Sequence, residues 1–233
     1  MKPRFIIFIL LLNVTPLFAQ QIGMEYVDKA DIKAWITDSD EFYFGTYHFG
    51  ESEAETELIL FKADDVIYGQ IKSGDWNEDA TDWVWYYENL SNIRIEENRF
   101  YSDQTNGTFI LYKNEIKCLK INDSWSDNVE VGTYELGRKT GKVYGYFYGE
   151  YSEVSMQVLS ISDLNSLDKN ELQIMRNEIF ARYGYRFKEG GKMAQHFSTK
   201  RWYKAQHDSV RQFFTELEKQ NIALIIEVEK TLE

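Results

Sequence analysis

DWVWYYE, residues 82–88, alternates in a way that decides how the first half of the chain folds. In an extended strand successive side chains leave opposite faces, so Trp83, Trp85 and Tyr87 share one face while Val84 and Tyr86 take the other. Neither face is polar. A sheet with one solvated face would alternate more cleanly, so this strand is expected to be covered on both sides. KVYGYFYG, residues 142–149, reads the same way, with Tyr144, Tyr146 and Tyr148 opposite Val143, Gly145 and Phe147.

Outward from residues 82–88, short strand signals separated by turn residues run through most of the first 150 residues. Strands are expected near 42–49, 56–62, 66–72, 82–88, 92–96, 100–104, 108–113, 115–121, 130–136 and 142–148, after a short helix-like stretch at 31–36. Asn106-Gly107 is the best hairpin turn, since both residues tolerate positive φ, and Ser73-Gly74 and Thr140-Gly141 are similar breakers. No long helical stretch interrupts the series, which excludes repeated parallel crossovers. The expectation is an antiparallel meander closing into a barrel or a sandwich, followed by a small helical module: an α+β chain.

The ends carry different signals. Lys2 and Arg4 precede an unbroken apolar run at residues 5–12, and Leu17-Phe18-Ala19 is a cleavage approach, the pattern of a secretory signal. The run is short of the ~20 residues that span a bilayer. The expected division is a signal peptide at 1–19, a β domain at 20–157 and a helical domain at 158–233, with export to the periplasm or medium and no transmembrane segment in the mature chain. The single cysteine, Cys118, makes no internal disulfide, so packing must hold the fold.

Charge is uneven. Residues 20–153 hold 27 acids against 12 bases, whereas residues 176–211 hold nine bases and three acids in a chain of net charge −12. The acidic part repels nucleic acid and anionic membrane. The basic stretch offers Arg186, Lys188, Lys192, Lys200, Arg201 and Lys204, with Trp202 and Tyr203, as a surface for an anionic envelope or surface component.

The second part opens with a well-formed helix start. Asp168 and Glu171 make a capping box, with Leu167 and Leu172 as a hydrophobic staple, and Gly184 is placed to end the helix in a left-handed conformation. At 100° per residue, Met175, Ile179, Leu172, Tyr183 and Phe180 cover an arc from about −60° to about +80°, and Arg176 falls inside it. Glu178 and Arg182 fall off the arc, four apart, as a surface pair. Thr215 and Glu218 start a last helix whose apolar stripe (Leu217, Leu224, Ile225, Val228) contains Asn221, with Glu218 at its edge. An inward guanidinium needs acceptors, so Arg176 is expected to dock the first helix on the last through Glu218, Asn221 and backbone carbonyls.

ELQIMRNEIFARYGYRF, residues 171–187, closely resembles the signature of the YARHG domain, a module of exported bacterial proteins, and the resemblance spans roughly residues 160–229. It takes in HFSTKRWY (196–203) and LEKQNIALI (217–225). Arg176, Asn177, Glu178, Ala181, Arg182, Gly184 and Tyr185 agree with the signature, while Phe180 stands where tyrosine is usual and Tyr183 where histidine is. The resemblance implies no activity, cofactor or substrate.

Signs of chemistry are thin. His48, His196 and His207 are scattered, and no zinc, phosphate-loop or nucleophile-elbow pattern occurs. In DWNEDATD, Asp75, Asn77 and Asp79 alternate like the start of a calcium loop, but the sixth and twelfth positions, Ala80 and Tyr86, break the pattern. NDSWSDN (122–128) raises the same question, and the acid pairs Asp64-Asp65 and Glu96-Glu97 are expected on opposite strand faces. No cofactor or metal is expected. The sequence favours a non-enzymatic binding role at the cell envelope, with a β-barrel carrier of a small apolar ligand or glycan as the alternative. A deep enclosed pocket lined by Trp83, Trp85 or residues 144–148 would mark the carrier.

Overall fold

The computed structural model describes residues 24–25, 29–49, 56–122 and 134–232. Eleven strands lie among them: β1 (Met24–Glu25), β2 (Ile32–Ala34), β3 (Gly45–His48), β4 (Glu57–Ala63), β5 (Val66–Trp76), β6 (Trp83–Asn89), β7 (Arg94–Glu96), β8 (Arg99–Tyr101), β9 (Asn106–Tyr112), β10 (Ile116–Ile121) and β11 (Tyr134–Gly141). The main path runs β6-β5-β4-β3-β11-β10-β9-β8-β7, every pairing antiparallel, and curls into a half-barrel. Four helices follow: α1 (Ile161–Leu164), α2 (Lys169–Arg182), α3 (Lys192–Ser198) and α4 (Glu216–Thr231). The α+β expectation holds.

Strand alternation builds two cores. In β4, Leu58 and Leu60 enter the concave side, where Trp35, Tyr43, Tyr47, Phe100, Phe109, Leu119 and Ile121 fill the half-barrel. Tyr43 stacks on Phe109 with centroids 4.1 Å apart. The intervening Ile59, Phe61 and Ala63 point outward, under Phe147, Met156 and Leu217 of the second half. Tyr87 of β6 likewise packs outward against Tyr183, edge to face at 4.7 Å. Both faces are covered at β4, whereas β6, at the end of the path, is covered in part: Val84 is buried and Tyr86 is exposed.

Several local expectations are overturned. The helix-like stretch expected at 31–36 does not form: a 3-10 turn (Lys29–Asp31) ends at its first residue and leads into β2, which pairs with β9. Asn106-Gly107 opens β9 instead of forming a turn. The chain reverses at residues 102–105, where the Ser102 hydroxyl donates to the Thr105 carbonyl at 2.8 Å. Ser73-Gly74 lies inside β5, where the indole of Trp83 covers Gly74. Asp64-Asp65 is the tight turn between β4 and β5 and Glu97 lies in the turn between β7 and β8, with Asp64 and Glu97 at positive φ. Neither acid pair sits on two strand faces. Residues 142–148 are not a strand, because β11 ends at Gly141 and a 3-10 turn (Val143–Gly145) follows. The chain there leaves the sheet to run beneath the helices. In the acidic loop the Asn77 side-chain oxygen accepts from the Thr81 and Asp82 amides at 2.8 and 3.1 Å, which closes the turn. Residues 123–128 lie outside the described residues.

Candidate functional site

The site is built from the signature helix upward. The α2 capping box forms as read, with Glu171 N–H donating to Asp168 and Asp168 N–H to Glu171, both at 2.8 Å. At the other end Gly184, at φ +70°, closes a Schellman turn: its N–H donates to Ala181 O at 2.9 Å and that of Tyr185 to Phe180 O at 3.0 Å. One stripe of α2 (Leu172, Met175, Ile179) packs with Ile225 and Val228 of α4.

A second, polar stripe is equally buried, and this corrects the surface-pair reading of Glu178 and Arg182. The Glu178 carboxylate is fully enclosed and accepts from the backbone N–H groups of Glu150 and Tyr151, both at 2.8 Å, and from Arg182. Gly149 makes this possible: it sits at φ +124°, and a Cβ there would fall 2.1 Å from the Glu178 carboxyl. Arg182 also donates to the carbonyls of Tyr148 and Tyr151 and to Ser155 Oγ. Ser155 passes the connection on, donating to Glu218 at 2.6 Å.

Glu218, fully buried at the start of α4, further accepts from Tyr183 OH at 2.7 Å and Thr215 N–H at 3.0 Å. Burial raises its pKa, against the pull of Ser155, Thr215, Tyr183 and Arg182. Burial lowers that of Arg182, against the attraction of Glu178. Asn221, buried in the α4 stripe as expected, ties down residues 154–159 instead: it accepts from Leu159 N–H at 3.1 Å and donates to Val154 O and Gln157 O, both at 2.8 Å.

The network crosses into the sheet at Tyr183. The amide nitrogen of Gln70 of β5, itself buried, shares its two hydrogens among Tyr183 OH at 3.0 Å, Phe213 O at 2.9 Å and Asn89 Oδ1 at 2.9 Å. Its own carbonyl lies 3.4 Å from Tyr146 OH. Beside this bridge is a cleft of about 350 Å³ between the outer face of the sheet, residues 140–148, and residues 181–184 and 202–206. Trp85, Tyr87, Tyr146, Phe147, Tyr148 and Trp202 supply its aromatic surface. Lys72 lies within it, 3.4 Å from Glu57 and 4.0 Å over the Trp85 ring. Burial raises the pKa of Tyr87, Tyr146 and Tyr183, so these hydroxyls stay protonated and act as hydrogen-bond donors and acceptors. Among the described residues no three histidine, cysteine or acidic side chains converge as a metal site would require.

The basic surface residues are dispersed by comparison. Arg186 pairs with Asp208, Lys200 with Glu150 at 2.5 Å, and Lys204 with Asp82 at 3.8 Å. Lys188, Lys192 and Arg201 have no carboxylate of a described residue within 4.0 Å. Trp202 lines the cleft, whereas Tyr203 is structural, donating to Tyr185 O at 2.8 Å. Arg176 does dock α2 on α4, but through Glu229 at 2.8 Å, not Glu218 or Asn221. Those two lie about three and two turns earlier on α4 and are already engaged. Among the other signature residues, Asn177 donates to Gln173 O, Phe180 meets Phe214 edge-on and Ala181 lines the cleft.

Sequence reasoning missed Gln70, Lys72, Glu57, Gly149 and Ser155. Gln70 left a trace, a lone amide within the otherwise apolar run VIYGQI (66–71). Gly149 and Ser155 left none, because their role depends on the fold.

Comparison with known proteins agrees with this geometry. The family model described as "YARHG domain" matches residues 146–230, and so includes the segment that carries Gly149 and Ser155. No curated protein and no solved structure matches the chain. The C-terminal part of this chain, residues 146–230, is a YARHG domain, and its signature forms one wall of the cleft.

Proposed function

We propose that the protein is exported and acts as a non-enzymatic binding protein, with the junction cleft as its ligand site and a glycan component of the cell envelope as its ligand. The observation that carries the reading is the joint construction of the cleft: the outer sheet face supplies Gln70, Lys72 and Trp85, and the YARHG signature supplies Arg182, Tyr183 and Gly184. Aromatic walls with a few fixed polar groups make a ligand site. The Gln206 side-chain carbonyl and the exposed Tyr148 hydroxyl can meet the hydroxyls of a sugar. Export is supported by the basic and apolar start of the sequence and by the domain's affinity with exported proteins. No described helix is long and apolar enough to cross a membrane.

The carrier alternative moves with the site. The concave side of the half-barrel is filled by aromatic and aliphatic side chains, so the ligand would lie outside the sheet, between it and the helices. Calorimetric titration with soluble oligosaccharides released from purified cell wall tests the reading. Saturable binding is expected, with loss in Trp85→Ala and retention in Lys188→Ala. Binding unaffected by Trp85→Ala overturns the cleft.

A second reading rests on Lys188, Lys192 and Arg201, whose charges are unneutralised by described neighbours: this face contacts an anionic wall polymer. Sedimentation with purified cell wall that is abolished by high salt and by Lys188→Glu/Lys192→Glu is its expected signature, since exposed charge contacts are screened.

A further inference from the structure

We infer that the ligand of the cleft is an acidic oligosaccharide, a short chain of sugars bearing carboxylates, held by a row of lysines along the cleft. The inference rests on the binding reading above and adds the ligand's charge and length. In a chain of net charge −12, the cleft is lined by Lys72, Lys142, Arg182 and Lys204 against a single carboxylate, Glu57. Arg182 is spoken for by Glu178 and by backbone carbonyls and does not count. The three lysines remain.

Lys72 is the inner anchor. Its side chain is 21 % exposed, and its 3.4 Å separation from Glu57 is longer than the 2.7–2.9 Å typical of a charge-assisted bond. An ammonium has three donors, so Lys72 retains capacity for an arriving carboxylate while Trp85 supports it from below at 4.0 Å. Lys142 is exposed where the chain leaves β11, with no carboxylate of a described residue within 4.0 Å. Lys204 is exposed beside β6, 3.8 Å from an Asp82 that is itself 66 % exposed, a contact weak enough to exchange.

The sheet order fixes their spacing. β6 and β11 are separated by β5, β4 and β3, four strand spacings or roughly 19 Å measured across the strands. The register adds an offset along them, since Trp83 beside Lys204 pairs with Trp76, whereas Gly141 before Lys142 lies level with Gln70 through Thr46 and Ile59. Lys72, on β5, lies between them. A single sugar cannot reach both ends, whereas a short chain with repeated carboxylates meets all three. Trp85, Tyr87 and Trp202 offer apolar surface to the sugar rings, and the side-chain carbonyl of Gln206, whose amide is held by Trp83 O, offers an acceptor to a sugar hydroxyl.

The test compares three probes of equal length on the full chain: tetragalacturonate, its methyl ester and cellotetraose. The acid is expected to bind about tenfold more tightly than the ester, with the advantage lost at high salt and in Lys142→Glu/Lys204→Glu, both exposed positions that leave the fold intact. Equal affinity for acid and ester overturns the inference and leaves the binding reading standing. Binding of the acid that the double variant does not weaken also overturns it, by placing the anion elsewhere. Absence of binding by all three probes overturns the inference together with the glycan reading.

Discussion

The two faces of the sheet are buried by opposite means. The concave face is closed by rings and aliphatic chains, with Phe109 touching Trp35, Tyr43, Tyr47 and Phe100. Part of the outer face is closed by a chain of charged and polar groups running Glu178, Arg182, Ser155, Glu218, Tyr183 and Gln70. Apolar contact is non-directional and tolerates rotation, whereas hydrogen bonds fix orientation. The inner face gives the half-barrel its cohesion. The outer one fixes the position of the YARHG domain on the sheet, and with it the shape of the cleft.

Substitutions on the two faces sharpen that contrast. Phe109→Ala is expected to cost about 3–5 kcal/mol, as a large ring removed from a tight core does, read as a shift of the urea midpoint. Glu178→Leu/Arg182→Met is expected to remain about 3 kcal/mol or more below wild type. A simple buried ion pair tolerates such an apolar swap, but this one satisfies two backbone N–H groups and two carbonyls that would be left without partners. Recovery to wild-type stability would reduce the outer network to a tolerated charge pair.

The next effect is read in pH. Burial lifts Glu218 above the usual carboxylate value of 4.5, so between that value and its folded pKa the folded chain holds a proton that the unfolded chain has lost. Stability therefore falls as pH rises through this window. Glu218→Gln is expected to flatten the slope in urea midpoints measured from acidic to neutral pH, whereas Phe109→Ala lowers the curve without changing its slope. The smallest effect belongs to Arg176→Ala. Its pair with Glu229 lies at the helix edge, with side chains 23 % and 12 % exposed, and about 1 kcal/mol or less is expected. A loss as large as that of the Glu178/Arg182 swap would erase the distinction between clamp and network.

How much of this was legible follows from the same contrast. Inner-face residues announce themselves by period-2 alternation, and the strands at 56–62, 66–72, 82–88 and 115–121 emerge close to β4, β5, β6 and β10. Both capping boxes form because their partners lie three residues apart. The outer network depends on which segment lies over the helix. A helical wheel puts Arg182 at about −80°, only about 20° beyond Met175, and assigns it to solvent because nothing on α2 covers it. What covers it is residues 148–155, and those were read in part as a strand. The wheel places Arg176 between the helices but does not find its acceptor Glu229, since a wheel shows facing and not axial register. The cleft residues Gln70, Lys72 and Glu57 come from two strands and acquire meaning only when the YARHG domain is set against them.

The loop after α3 has a consequence for how the chain is made. Gln206 and His207 reach over to the carbonyls of Trp83 and Trp85, both at 2.8 Å, along the side of β6 that no other strand among the described residues occupies. β6 emerges from synthesis well before these residues exist, so the nascent sheet carries an aromatic border with open acceptors, the kind of edge that recruits a neighbouring chain. The loop closes two of those acceptors, so a chain cut short after β11 is expected to aggregate more readily than the full chain even where every described strand of the half-barrel is intact.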